Sequence, residues 1–299
     1  MPRRALLLIN RHSRRGRQGI SQAVELLQAA GLELWEEPAR HSHHLADIIL
    51  AYRDRCDLVI IGGGDGTLNA ALPGLVETGL PLGILPLGTA NDLARSLGIP
   101  NTLADACRVI TTGHQRSIDL GWVNGRYFLN VASLGLSCAI TERLTHEVKQ
   151  RWGVLAYAAT AIQVIWQTRP FRAEISWNGQ TLAVRTVQIA VGNGRFYGGG
   201  LPIAHDAVLD DQRLDLYSLE IDHWWKIFPL LPAMSRGRQG NWPEVRCIQT
   251  DEVEIRTRRP YPINTDGELT TYTPARFRVL PQILPVFVPP EVDAPGLSG

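Results

Sequence analysis

Residues 58–61, LVII, form a short apolar run that ends in Gly62, Gly63 and Gly64 and passes at once into Asp65, Gly66 and Thr67. An uninterrupted apolar run closed by glycines suits a strand of a parallel sheet covered on both faces. From Thr67 to Val76 the apolar residues recur at helical spacing, so the glycine loop feeds a helix N-terminus. Free N–H groups and the helix dipole attract phosphate there. Glycine also lets the chain turn sharply and lets a ligand approach the main chain without meeting a Cβ. Strand, glycine loop and helix therefore predict a phosphate cradle; the alternative is a tight turn with no ligand. A Walker loop is excluded, because GxxxxGK[ST] needs a lysine that this stretch lacks. The dinucleotide fingerprint GxGxxG does not match GGGDG either, and it normally follows the first strand.

Around this loop the N-terminal part alternates strands and helices. Strands are predicted at residues 5–9, 32–35, 82–85 and 117–123. Helical spacing covers Ile20 to Ala30 (closed by Gly31), a segment from Ser42 to about Arg53, and residues 90–97 and 103–110. Such alternation means a parallel sheet wrapped by helices, with ligands beyond the carboxyl ends of the strands. Both the loop at 63–69 and the loop at 86–92 fall at such ends. His41, His43 and His44 read as an exposed helix start, since neighbouring histidines do not share a helix face as metal ligands at i, i+4 would.

From Arg126 the texture changes. A strand at 127–133 and helices at 137–148 and 154–166 give way beyond Pro170 to strands at 171–177, 182–191, 214–219, 244–249, 252–256 and 277–280. Asn178-Gly179 is a hairpin signal. The pattern predicts an antiparallel β-sandwich, and proline-rich residues 286–299 an extended tail. The chain of 299 residues can bury two cores, divided here as 1–125, 126–285 and the tail. A net charge of +1 does not call for a nucleic-acid partner. No apolar run is long enough to span a membrane, the N-terminus lacks a signal peptide, and Cys56, Cys107, Cys138 and Cys247 are scattered without a CxxC pair. A cytoplasmic protein with reduced thiols is expected.

Gly63, Gly64, Asp65, Gly66 and Thr67 spell GGDGT, and residues 85–95, LPLGTANDLAR, place Thr89, Asn91 and Asp92 in a second block. The first resembles the signature of the diacylglycerol kinase, sphingosine kinase and NAD kinase superfamily; the second resembles its lipid-kinase branch. The resemblance implies an α/β fold: an N-terminal three-layer Rossmann-like nucleotide-binding domain, then a C-terminal antiparallel β-sandwich, with ATP in a cleft between them. It implies an ATP-dependent lipid kinase acting on diacylglycerol or a related lipid such as phosphatidylglycerol. The alternatives are an NAD kinase-like enzyme and a catalytically silent nucleotide-binding regulator.

Residue by residue, the resemblance puts Gly63, Gly64, Asp65, Gly66, Thr67, Leu68, Asn69, Thr89, Asn91 and Asp92 at the nucleotide. Asp65 and Asp92 would hold Mg²⁺ through water; the alternative for Asp92 is a charge at a helix N-terminus, which is compatible with the first role. Residues 264–268, NTDGE, resemble the motif of the catalytic acid, with the choice of base open between Asp266 and Glu268; a plain Asp-Gly turn is the alternative. Residues 208–215, VLDDQRLD, resemble a structural Mg²⁺ loop: Asp211 would give its carboxylate and Val208 and Arg213 their carbonyls. Gln212 stands where the family has glycine, Arg11 where it has proline, and Pro38 near an expected threonine. These departures keep the regulator open. Asn193, Gly194 and residues 197–200 either flank the acceptor or form a hairpin tip. Residues 224–231, WWKIFPLL, have the composition of an interfacial segment, with burial or an oligomer contact as alternatives. A peripheral contact with a membrane carrying the lipid substrate is expected, and a homodimer stays open.

Overall fold

The computed structural model describes residues 2–9, 16–38, 44–143, 166–194, 196–197, 201–202, 208–234 and 242–290. The loop at 10–15, His41 and His43, the helix expected over 154–166 apart from Trp166, Gly198 to Gly200 and the tail beyond 290 lie outside them. Two compact units emerge, Met1–Ile118 with Gln282–Gly299, and Asp119–Pro281.

The first unit is built on β1 (Arg3–Ile9), β2 (Leu32–Pro38), β3 (Leu58–Gly63) and β4 (Leu82–Pro86), in the order β2-β1-β3-β4 and all parallel. The end of the chain's last strand, β18 (Ala275–Val288), adds beside β4, also parallel, with Val286 opposite Leu82. Every residue of β3 and β4 is buried, which is why both read as unbroken apolar runs. Helices α1 (Gly16–Ala29) and α5 (Leu103–Thr112) pack together, as do α2 (Leu45–Ala51) and α3 (Asp65–Thr78). A Cβ on Gly74 of α3 would sit 2.7 Å from the Ala46 carbonyl, so this glycine sets how closely α3 and α2 approach. The short helix α4 (Asp92–Ser96) follows β4.

Asp57 ties the start of β3 to β1. Its carboxylate accepts the Arg4 backbone N–H at 2.7 Å and faces the Arg4 guanidinium at 3.3 Å. The backbone bond first, and then the guanidinium, hold its carboxyl below the usual range. A lowered folded pKa gives stability above the unfolded value that is lost as pH falls through the folded one. Asp57→Asn is thus expected to destabilise at neutral pH by at most about 1 kcal/mol, given the pair's exposure. In urea titrations the difference from the parent should shrink as the pH is taken below about 4.

Strand β5 (His114–Val123) leads into the second unit, and β6 (Arg126–Phe128) pairs with it. One sheet runs β14 (Val245–Thr250), β13 (Leu214–Leu219), β10 (Gln188–Gly192), β7 (Val131–Gly135), β16 (Pro262–Thr265), β17 (Glu268–Tyr272), all antiparallel. The other places β18 beside β15 (Glu252–Thr257), β8 (Phe171–Trp177) and β9 (Gln180–Thr186). A small hairpin joins β11 (Phe196–Tyr197) to β12 (Leu201–Pro202). Phe128, Leu134, Ile175, Ile189, Leu216, Ile255 and Phe277 fill one core of this unit. The expected sandwich is present. The first of these sheets has a second covered face, because Ala190, Tyr217 and Leu219 meet Leu136 of α6 (Leu136–Arg143) and Ile227 and Leu230 of α7 (Ile227–Met234).

Three expectations are corrected. The strand expected over 127–133 is two, β6 and β7, parted at Leu129 and Asn130, whose N–H groups turn to the carboxylate of Asp266. The strand expected over 182–191 is also two: the Thr186 hydroxyl donates to the Gln188 and Leu219 carbonyls, and the chain crosses there from β9 in one sheet to β10 in the other. The tail expected from 286 instead begins as strand, since β18 continues to Val288. The apolar segment at 224–231 divides as well. Ile227 and Leu230 are core residues, each contributing about 1.5–3 kcal/mol on burial, whereas Trp225 is 52% exposed and stacks on His223.

Candidate active site

In the first unit the two motif loops are stitched to each other. The Gly63 carbonyl accepts the N–H groups of Leu87 and Gly88 at 3.0 and 3.2 Å. Gly64 and Gly88 meet backbone to backbone: a Cβ on Gly88 would lie 2.4 Å from the Gly64 Cα, and one on Gly63 2.7 Å from the Thr67 side chain. Gly64 and Gly88 are needed first for loop-to-loop contact and Gly63 for the turn against Thr67, and only then for a ligand. Gly64 caps α3, and the Thr67 N–H returns to the Gly64 carbonyl at 2.9 Å. The N-terminus of this 14-residue helix is thus formed by Asp65, Gly66 and Thr67. Leu68 points into the core, 2% exposed, and its N–H donates to the Gly64 carbonyl at 3.2 Å, so it builds the helix start. Asn69 is half-buried and Thr89 exposed.

Asp65 reaches across to the second loop. Its two oxygens accept the N–H groups of Asp92 and Leu93 at 3.1 and 3.0 Å, and so cap α4 from outside. Asn91 adopts a left-handed conformation, φ 51°, which asparagine tolerates better than most residues. Its amide accepts the Gly88 N–H at 3.0 Å and donates to the Gly88 carbonyl at 3.1 Å. The Asn91 side chain therefore shapes its own loop rather than reaching out. Asp92 is buried, 4% exposed.

In the second unit Asp266 and Gly267 form the tip of the β16–β17 hairpin, both at positive φ, 48° and 97°. The Asp266 carboxylate accepts the N–H groups of Leu129, Asn130 and Val131 at 2.7, 2.9 and 3.1 Å, while its own N–H donates to the Val131 carbonyl at 2.9 Å. Asn264 Oδ1 accepts the Gly267 N–H at 2.7 Å. The turn is pinned from both ends. Glu268, the first residue of β17, is exposed, and its side chain has no hydrogen bond or ion pair among the described residues. One acid of the motif is occupied by the fold and the other is available.

The loop holding Val208, Asp211 and Arg213 carries Gln212 at φ 61°, a conformation glycine would adopt more readily. The Gln212 N–H donates to Asp119 Oδ2 at 2.7 Å, and the Arg213 N–H to Asp211 Oδ1 at 3.1 Å. Burial, then the charges of Asp215 and Asp119, push the Asp211 carboxyl up. The same network holds Asn193, whose Nδ2 donates to the Asp119 and Leu129 carbonyls at 3.0 and 2.9 Å. Asn130 Oδ1 and Asn193 Oδ1 are buried without a hydrogen-bond partner among the described residues. Crowded carboxylates with spare amide oxygens fit a hard divalent cation. No group of three or more His, Cys, Asp or Glu among the described residues could hold a metal alone; Mg²⁺, however, takes only one or two carboxylates and keeps several waters. Sequence reading missed Asp119, 1% exposed. The signal was a lone aspartate in the apolar strand at 118–120.

The parallel α/β unit thus presents a glycine-stitched helix N-terminus, and the β-sandwich unit an exposed carboxylate. Comparison with known proteins makes this specific. Residues 4–123 match the diacylglycerol kinase catalytic domain, and residues 130–288 match the YegS C-terminal NAD kinase beta sandwich-like domain. The chain belongs to the diacylglycerol kinase-like family and is a lipid kinase. It is similar to a diacylglycerol kinase of Staphylococcus aureus (strain bovine RF122 / ET3-1), 28% identical over 300 residues, covering 98% of this chain and 94% of the relative. Among solved structures, one from Bacillus anthracis str. Sterne is 25% identical with a TM-score of 0.79, covering 97% of this chain and 96% of that one. A diacylglycerol kinase from the same organism, 23% identical, shares the fold with a TM-score of 0.76 over 97% of this chain and 98% of its own. Among the described residues no helix is long and apolar enough to cross a membrane.

Proposed function

We propose that the chain transfers the γ-phosphate of ATP to the hydroxyl of diacylglycerol or a related glycerolipid such as phosphatidylglycerol, with Glu268 as general base. The observation that carries this reading is the division of labour in the 266–268 turn: Asp266 is spent on three backbone N–H groups, and Glu268 is left exposed and uncommitted. The acceptor oxygen attacks the γ-phosphorus as the bond to the β–γ bridging oxygen breaks. The hydroxyl proton passes to the Glu268 carboxylate, and ADP leaves. Gly63, Gly64, Asp65 and Gly66 bring main-chain N–H groups to the nucleotide phosphates and Thr67 its hydroxyl, while Leu68 and Asn69 continue the helix whose N-terminus faces them. Thr89 offers a further hydroxyl, and Asn91 keeps the second loop in shape.

Bound Mg²⁺ would neutralise charge on the transferred group. Asp65 and Asp92 are the carboxylates that the first unit would offer it through water, Asp65 while also accepting from α4. Asp211, with main-chain carbonyls near Val208 and Arg213, is proposed to hold a second, structural Mg²⁺; it orders the loop and takes no part in proton transfer. The enzyme would draw ATP from the cytoplasm and meet its lipid at the membrane surface.

The test is transfer of labelled γ-phosphate from ATP into lipids presented in mixed micelles, with NAD as a parallel acceptor. Label in a glycerolipid is the expected result and names the acceptor. Label in NAD would move the protein to the NAD kinase reading. No labelled acceptor, with nucleotide binding that depends on Thr67, would leave the regulator.

A further inference from the structure

On the outer face of the sandwich, β8, β9 and β15 line an open groove of about 620 Å³ whose charged side chains are Arg172, Arg185, Arg256, Arg258 and Glu174. With Glu254, the partner of Arg256, counted beside Glu174, four cations meet two acids, a local excess of two in a chain whose net charge is only +1. Arg172 and Arg185 are directly opposite each other across the β8–β9 pair, and both are exposed. Like charges in that relation destabilise a sheet. Arg256 is already bonded to Glu254 at 2.8 Å and faces Glu174 across the β8–β15 pair. Arg172, Arg185 and Arg258 form no ion pair among the described residues.

Guarding a sheet edge explains one of these at most. β9 is the outer strand, and a charge there discourages pairing with another chain; Arg172 lies on β8, which has neighbours on both sides. Two unpaired guanidiniums held side by side on rigid strands suit phosphate, which arginine binds bidentately. A lipid kinase meets phosphate headgroups at the bilayer, and its product adds a phosphomonoester to that same surface.

We infer that the Arg172–Arg185 groove docks the protein on anionic bilayers, with affinity rising as phosphomonoester lipid accumulates. This rests on the lipid-kinase reading for the choice of partner. Surface cations near an anionic leaflet each contribute about 1 kcal/mol, and the attraction is screened by salt.

The test is co-sedimentation of the full chain, without nucleotide, with vesicles of phosphatidylcholine alone and of phosphatidylcholine containing phosphatidic acid. Binding to the second kind only, weakening as salt is raised, is expected. Arg172→Gln with Arg185→Gln should weaken it roughly 30-fold, and Glu174→Gln should strengthen it. Arg172→Glu alone should bind less yet melt no lower than the parent, because it turns a like-charge pair into an attractive one; this separates docking from folding. Equal sedimentation with both vesicles, or a double variant that binds like the parent, would overturn the inference. So would a double variant that only converts a dimer to a monomer, which would assign the groove to a second copy of the chain. Phosphate transfer to a short-chain acylglycerol dispersed without vesicles should be unchanged in the double variant. A parent that transfers phosphate to that dispersed substrate but sediments with neither vesicle sinks this inference alone, whereas absent transfer in the parent sinks the proposed function alone.

Discussion

Glu268→Gln is expected to lower kcat by roughly 10²–10⁴-fold, the usual contribution of a general base, with the melting temperature and nucleotide affinity unchanged. The side chain is exposed and bonded to nothing among the described residues, so the fold has nothing to lose by the change. Asp266 should behave differently. Asp266→Ala strands the N–H groups of Leu129, Asn130 and Val131, which now meet a carboxylate at 2.7 to 3.1 Å. Hydrogen bonds to a charged group are worth about 1.5–3 kcal/mol each, and unpaired buried donors add to the loss. A destabilisation of about 3 kcal/mol or more is expected, read as a melt lowered by roughly 6–12 °C. Activity would fall with it, because the same turn orients Glu268. Measuring kcat and thermal unfolding on both variants separates a base from a positioning residue. If Glu268→Gln turns over at the parental rate, Glu268 is not the base.

The second large effect is expected at Gly88. A methyl group there would stand 2.4 Å from the Gly64 Cα and 2.7 Å from Asn91 Oδ1. The first of these is backbone, with no side-chain rotation to relieve it, so the loops must part. Gly88→Ala is expected to cost about 1–3 kcal/mol, as overpacking commonly does. It should also break the Gly63–Leu87 and Gly63–Gly88 bonds that hold the loops together, and with them nucleotide binding. Thr89→Ala, at an exposed neighbouring position, is the control: it should leave the melt unchanged. The comparison is calorimetric titration of ATP alongside thermal unfolding. Parental affinity in Gly88→Ala would show that the stitched loops are not the nucleotide cradle.

The elements of the first unit were legible because its strands are buried on both faces. That demand writes itself as continuous apolar runs such as residues 58–61, bounded by glycine. Both motif loops were legible as well, since each lies at a strand's carboxyl end and carries residue types that few other chemistries require together. In the second unit the reading failed wherever one apolar run served two sheets. Nothing local in residues 127–133 or 182–191 announces a break; at Leu129–Asn130 it is made by Asp266, and at Val187 by Thr186 bonding to Leu219. The hairpin of β16 and β17 passed unnoticed for a related reason, its strands being short and its tip already explained as a motif.

Residue types and spacings were thus enough for the family and the sandwich, because periodicity and glycine placement are local properties of a chain. Which acid is spent and which is available could not be read that way. Asp65, Asp92, Asp266 and Glu268 are all carboxylates, and their roles follow from what each accepts. Asp65 accepts from α4, 27 residues away, and Asp266 from Leu129, 137 residues away. Such long-range partners decide whether a carboxylate holds the backbone or is left to move a proton, and they exist only once the chain has folded.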